Sequence, residues 1–158
     1  MRLYTTSLFF PLALLVFGVC LPVAAAPEEI FNTFEWSNLP DLPPARGKAK
    51  QVGLAGPFAG THQGALLVAG GANFPDLPPW QGGTKIWWDD VYVLEKDPHG
   101  KPSGAWLTSA KLELPLPTAY GVSISTDKGL LFIGGRDAKR CHADVFRLQW
   151  LRDEKEMK

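Results

Sequence analysis

The chain has 158 residues, 46% apolar and 20% charged, with 16 basic and 16 acidic side chains that balance to zero. That balance excludes the clustered basic excess by which nucleic acid or a membrane surface is bound electrostatically, and two cysteines exclude a disulfide-dense mini-protein. Glycine and proline together make 30 residues, well above an average usage of roughly 12%, and with six tryptophans they predict short strands joined by tight turns.

Residues 1–26 read as an export signal. Arg2 supplies a single basic charge, Leu8 to Leu21 run apolar, and Ala24-Ala25-Ala26 close the segment before Pro27-Glu28-Glu29 turns polar. A basic start, an apolar stretch and a small-residue end make a secretory leader, and Pro11 and Gly18 argue against a permanent span. Export to the periplasm or outside is expected, with no membrane attachment after cleavage. The mature chain would then have 132 residues and one cysteine, Cys141, expected as a small buried group or a free thiol.

The remainder repeats itself. Glu35-Trp36-Ser37 predicts an outer strand near 34–38, followed by the Pro-rich run Asn38-Leu-Pro-Asp-Leu-Pro-Pro44. Strands are expected near 57–64 and 65–70, the second ending in Gly70-Gly71, then at 90–95 and near 105–109. The pattern returns with strands near 119–126, at 129–134 ending in Gly134-Gly135, and at 143–149. The glycine pairs stand 64 residues apart, and Asp90 and Asp144 each precede an alternating strand with a structural role as the default. Four features in one order, twice, at a spacing near 50–60 residues indicate an all-β, kelch-type β-propeller with four strands per blade. Blade one is expected over 56–109 and an incomplete blade two over 118–158, without an evident fourth strand in the charged tail from Leu151. Propellers close with four to eight blades, so about two blades are expected to be the front part of a longer protein.

One connection departs from the repeat. Eighteen residues separate Gly71 from Asp90, against eight between Gly135 and Asp144, and long loops in compact domains are usually functional. The longer one carries Trp80, Trp87 and Trp88 with Asn73, Lys85 and Asp89. Aromatic faces with amide, ammonium and carboxylate groups suit a small-molecule sugar, whose C–H face stacks while its hydroxyls need hydrogen bonds. Asn73, Trp80, Lys85 and Arg136 are therefore the substrate-binding candidates, and Asp89 and Asp137 the acid/base candidates. Trp87 and Trp88 have packing between blades as the alternative. In four-stranded blades the segments 44–56, 71–89, 108–118 and 135–143 should gather on one face. His62 is expected to be a buried, satisfied side chain, and His62, His99 and His142 show no metal-ligand spacing.

Gly53-Leu-Ala-Gly-Pro-Phe-Ala-Gly-Thr-His-Gln-Gly-Ala-Leu-Leu-Val-Ala-Gly-Gly-Ala-Asn-Phe-Pro-Asp76, followed by Trp80, Gly82-Gly83, Lys85 and Trp88-Asp-Asp-Val-Tyr-Val-Leu94, resembles the cyclically permuted mutarotase family related to N-acetylneuraminate epimerase. The resemblance implies a six-bladed fold, export, and interconversion of sugar anomers with sialic acid as substrate. It matches no family catalytic residue to a position here. Mutarotation needs one general base and one general acid, with neither metal nor cofactor, and Arg136 would suit a bidentate hold on the carboxylate. Taken alone, the chain is expected to lack appreciable activity. A secreted kelch module that binds glycans or protein without turnover is the alternative, and a galactose-oxidase-like copper enzyme a third.

Overall fold

The computed structural model describes residues 36–108 and 112–158. The expected leader and residues 34 and 35 of the expected outer strand lie outside them, and residues 36–38 form no strand. The described residues contain no α-helix and are built from two three-stranded antiparallel sheets with two small ribbons.

Blade one comprises β1 (Phe58–His62), β2 (Ala65–Ala69) and β5 (Val91–Glu95). Gln63 and Gly64 both have positive φ and close the tight β1–β2 turn, the backbone such a two-residue hairpin requires. Blade two repeats this with β6 (Val122–Thr126), β7 (Gly129–Ile133) and β8 (Val145–Leu148). The first two strands of each blade superimpose on the 64-residue repeat. Gly70 explains the glycine pair: its φ is +64°, and a Cβ would stand 2.3 Å from the Thr118 carbonyl oxygen.

Side chains alternate between sheet faces, and this decides how the blades meet. One face of blade one carries Phe58, Leu67 and Val93, and it is buried against Leu130, Phe132 and Leu148 of blade two. Phe58 meets Phe132 edge-on at 4.5 Å between ring centroids, and Phe132 stacks on Phe146 at 4.9 Å. The innermost strands join through hydroxyls. Ser123 Oγ donates to the Ala59 carbonyl at 2.8 Å and accepts from its N–H at 3.1 Å, while Ser125 Oγ accepts from Thr61 N–H at 2.9 Å.

The outer edges differ from expectation. In place of a continuous strand near 105–109, the outer edge of β5 is met by Leu107 opposite Val93 and by Glu113 opposite Asp90. Pro102 and Gly104 interrupt any longer pairing upstream. The charged tail, where no strand was evident, turns back as a ribbon of β9 (Trp150–Leu151) and β10 (Glu156–Met157). Lys155 and Arg152 pair with Glu95 at the end of β5, and Arg152 also donates to the Lys96 carbonyl at 3.1 Å. Trp150 anchors the ribbon: its side chain is fully buried, and its N–H donates to His62 Nδ1 at 3.1 Å. His62 is thus the satisfied core histidine expected.

Candidate functional site

The connection between Gly71 and Asp90 is ordered. β3 (Ala72–Asn73) pairs with β4 (Ile86–Trp87), and a 3-10 turn, η1 (Pro79–Gln81), folds the intervening chain over. The expectation of a long irregular loop is corrected here. Pro79 begins η1, where its missing N–H costs nothing, and the N–H groups of Gln81 and Gly83 both donate to the Pro78 carbonyl, at 3.0 and 3.1 Å. Gly83 has no alternative, because a Cβ would lie 1.7 Å from the Leu77 carbonyl oxygen.

The four segments expected on one face do meet there. Ala55 and Ala72 exchange backbone hydrogen bonds at 2.8 and 3.0 Å, Gly71 N–H donates to the Thr118 carbonyl at 2.9 Å, and Thr118 N–H donates to that of Trp88 at 3.2 Å. Between them opens a cleft of about 600 Å³ walled by Lys50, Asn73, Phe74, Leu77, Lys85 and Tyr120, among others. That volume lies in the usual range for small-ligand sites. Asp76, also on its wall, is engaged by Lys48 at 3.0 Å.

Lys85 is the chemical centre of this end. Its Nζ lies 4.6 Å from the Tyr120 ring centroid, 5.3 Å from that of Trp87 and 5.8 Å from that of Phe74. Three rings around one ammonium hold a cation by their quadrupoles and leave it for an anion at the cleft wall. Arg136 reaches the same group, with Cζ 5.8 Å from the Trp87 centroid. Lys85 and Trp87 also border a second hollow of about 390 Å³, shared with Pro117, Asp137 and Lys139.

The other nominated residues behave differently. Asn73 is buried and its amide is committed: Nδ2 donates to the Gly53 carbonyl at 2.7 Å, and Oδ1 accepts from Trp88 Nε1 at 2.8 Å. It holds the cleft wall together. Trp88 accordingly packs, as its alternative reading had it. Trp80 is 81% exposed on η1 and stands apart from the Lys85 cluster. Asp89 accepts the Leu114 N–H through its main-chain oxygen at 2.7 Å, and its side chain borders neither cleft.

Asp137 holds a turn. Its Oδ1 accepts the N–H groups of Lys139 at 2.6 Å and Arg140 at 2.8 Å, and Oδ2 lies 3.2 Å from His142 Nε2. The Arg140 and Lys139 amides, with help from His142, keep its carboxyl below the usual carboxylate range. A group so strongly ionised is a poor general base, which works best with a pKa near the operating pH. Cys141 is exposed, so the buried alternative falls away and it is a free thiol. Among the described residues no group of three His, Cys, Asp or Glu side chains is placed to hold a metal ion.

Phe74 and Tyr120 were not among the nominated residues. Tyr120 had a signal: it stands 64 residues after Gly56, so the repeat changes from glycine to a bulky aromatic at one position.

Two blades whose long connection raises a cationic, aromatic cleft at one end define a portion of a kelch-type β-propeller with a small-ligand site. The family model of N-acetylneuraminate epimerase matches residues 25–157. The chain belongs to the N-acetylneuraminate epimerase family. It is 36% identical over 152 residues to the N-acetylneuraminate epimerase of Brucella melitensis biotype 1, covering 87% of this chain and 37% of that protein. With the Haemophilus influenzae N-acetylneuraminate epimerase it shares 42% identity over 110 residues, covering 64% of this chain and 27% of that protein. The solved structure of YjhT superimposes with a TM-score of 0.62 at 26% identity, covering 80% of this chain and 34% of that one. The chain thus spans about a third of the length of the relatives it matches.

Proposed function

We propose that these two blades belong to an exported sugar mutarotase that interconverts the anomers of N-acetylneuraminate. The observation that carries this reading is the Lys85 ammonium set among Phe74, Trp87 and Tyr120 on a cleft of about 600 Å³. A sialic acid offers a carboxylate for the cation and a ring face for the aromatics, and the names of the curated relatives agree with that ligand. The leader pattern of residues 1–26 supports export.

Ring opening requires a base to take the anomeric hydroxyl proton and an acid to protonate the ring oxygen, after which the ring recloses on the other face. Within this chain Lys85 orients the carboxylate and the rings exclude water from one side. Asp76 and Asp137, the carboxylates nearest the two hollows, are held by Lys48 and by turn amides. In this reading the proton-transferring pair therefore comes from the other blades of the complete propeller. The same occupied carboxylates favour, as the second reading, a module that binds acidic glycans without turnover.

The test is NMR exchange between the anomers of N-acetylneuraminate. Residues 27–158 replace the matching third of the Brucella melitensis relative, so that they are assayed within a complete propeller. Acceleration over buffer is expected, with loss on K85M. Binding without acceleration, while the parent relative accelerates exchange, would support the module instead.

A further inference from the structure

Tyr120 has a backbone that a tyrosine rarely adopts. Its φ is +64°, in the left-handed region where bulky residues are outliers. The repeat places Gly56, with φ +58°, at the same point of blade one, so the turn into each innermost strand calls for this conformation. Glycine meets it without steric cost, yet blade two carries an aromatic.

The space for that ring comes from Gly56. A Cβ on Gly56 would stand 2.4 Å from Tyr120 Cδ1, and Tyr120 N–H donates to the Gly56 carbonyl at 2.8 Å. The ring does not serve the core. Tyr120 is 42% exposed, lines the cleft and lies under the Lys85 ammonium. Packing therefore does not explain why the strained position is aromatic, and strain kept at a cleft wall points to function.

We infer that Tyr120 is the stacking wall of an acidic-sugar subsite, taking the C–H face of the ring while Lys85 takes the carboxylate. This deepens the sialic acid reading and rests on it for the choice of ligand. Charge-assisted hydrogen bonds to a carboxylate are stronger than cation–π contacts at an exposed site. An arriving carboxylate therefore draws the ammonium toward itself and leaves the Tyr120 face to the sugar. With Asp76 paired to Lys48, the wall that carries Lys50 and Lys85 is positive, which suits an anion.

The experiment titrates the full chain with N-acetylneuraminate, glucuronate and uncharged N-acetylglucosamine by ligand-observed NMR, and records Tm for each variant. Y120G and Y120N both tolerate the left-handed backbone. They are expected to weaken acidic-sugar binding on the order of tenfold while Tm holds or rises. Y120F is expected to bind as the unmodified chain does, and K85M to lose the preference for acidic over uncharged sugars. Unchanged N-acetylneuraminate binding by Y120G and Y120N would overturn the inference and leave the sialic acid reading standing. Glucuronate binding that is Tyr120-dependent, without N-acetylneuraminate binding, would keep the inference and remove that reading. A marked fall in Tm on Y120G, or no binding of either acid by the unmodified chain, would also overturn it.

Discussion

Asp137 Oδ2 and His142 Nε2 lie 3.2 Å apart, and this pair stands in blade two where Asn73 and Trp88 stand in blade one. The backbone establishes the correspondence. Trp88 N–H donates to the Gly71 carbonyl at 2.9 Å and His142 N–H to the Gly135 carbonyl at 2.8 Å; Gly70 and Gly134 N–H donate to Asp90 and Asp144 at 2.9 Å each. One position in the repeat thus always bonds across its loop, through a neutral amide–indole pair in the longer loop and a carboxylate–imidazole pair in the shorter.

The ionic version makes blade two acid-sensitive. Asp137 has a folded-state pKa below its unfolded value, set first by the Arg140 and Lys139 amides. Between those two values the unfolded chain binds more protons, so the contribution is present above the ordinary carboxylate pKa of about 3.9 and lost as pH falls through the lower folded value. Urea unfolding across that acid range should show a shallower loss for D137N than for the unmodified chain. D137A should also lower stability at neutral pH, because both turn amides lose their acceptor.

In blade one the corresponding pair is buried. Asn73→Ala would leave Trp88 Nε1 and the Gly53 carbonyl unpartnered, at a cost of roughly 1–3 kcal/mol. Asn73→Asp keeps the acceptor but loses the donor and brings a charge into the wall, so it should be at least as damaging. Equilibrium urea unfolding checks both.

The blade junction should be sensitive to small hydroxyls. Ser123→Ala removes one donated and one accepted bond with Ala59, and Ser125→Ala removes the acceptor for Thr61 N–H. Each is expected to cost about 1 kcal/mol. Hydrogen exchange at Ala59 and Thr61 amides should rise selectively, while Phe58 and Phe132 still hold the blades together.

Tyr92 supplies an alkaline signature. Burial, reinforced by the charge of Asp90, pushes its phenol up to about 12. The unfolded phenol ionises near 10, so this contribution is complete below that pH and is lost as pH rises toward the folded value. Absorbance titration should find Tyr92 ionising last among the three tyrosines, and Y92F should flatten the alkaline loss of stability.

The second face of blade two is exposed and apolar. Val122, Ile133 and Val145 lie in register across β6, β7 and β8. Their counterparts one repeat earlier, Phe58, Ala69 and Val91, are buried against blade two. Contiguous exposed apolar surface drives association, so the isolated chain should self-associate at micromolar concentration. Threonine at Val122, Ile133 and Val145 keeps β-propensity and should shift sedimentation toward monomer.

Much of this architecture was legible before any coordinates. Alternating apolar residues and the glycine pairs marked both sheets, because the period-2 rule and the left-handed turn are imposed by each strand's own neighbours. Lys85 was legible as a ligand cation from its company in an overlong connection. Asn73 was not legible as a wall tie, since its partners Gly53 and Trp88 are 20 and 15 residues away. The tail was misjudged for a similar reason. Its charges signalled solvent, whereas Glu95, 60 residues upstream of Lys155, gives them a partner.

By itself the sequence determined the repeat, the kelch-type blades and the end of the propeller where chemistry would gather. Those features follow from local rules written identically in each 64-residue unit. Only the tertiary structure decided that Lys85 lies among Phe74, Trp87 and Tyr120, and that Gly56 clears the space for a strained tyrosine. Those contacts join residues from both blades, and their geometry is set by how one sheet packs on the next, which no single repeat contains.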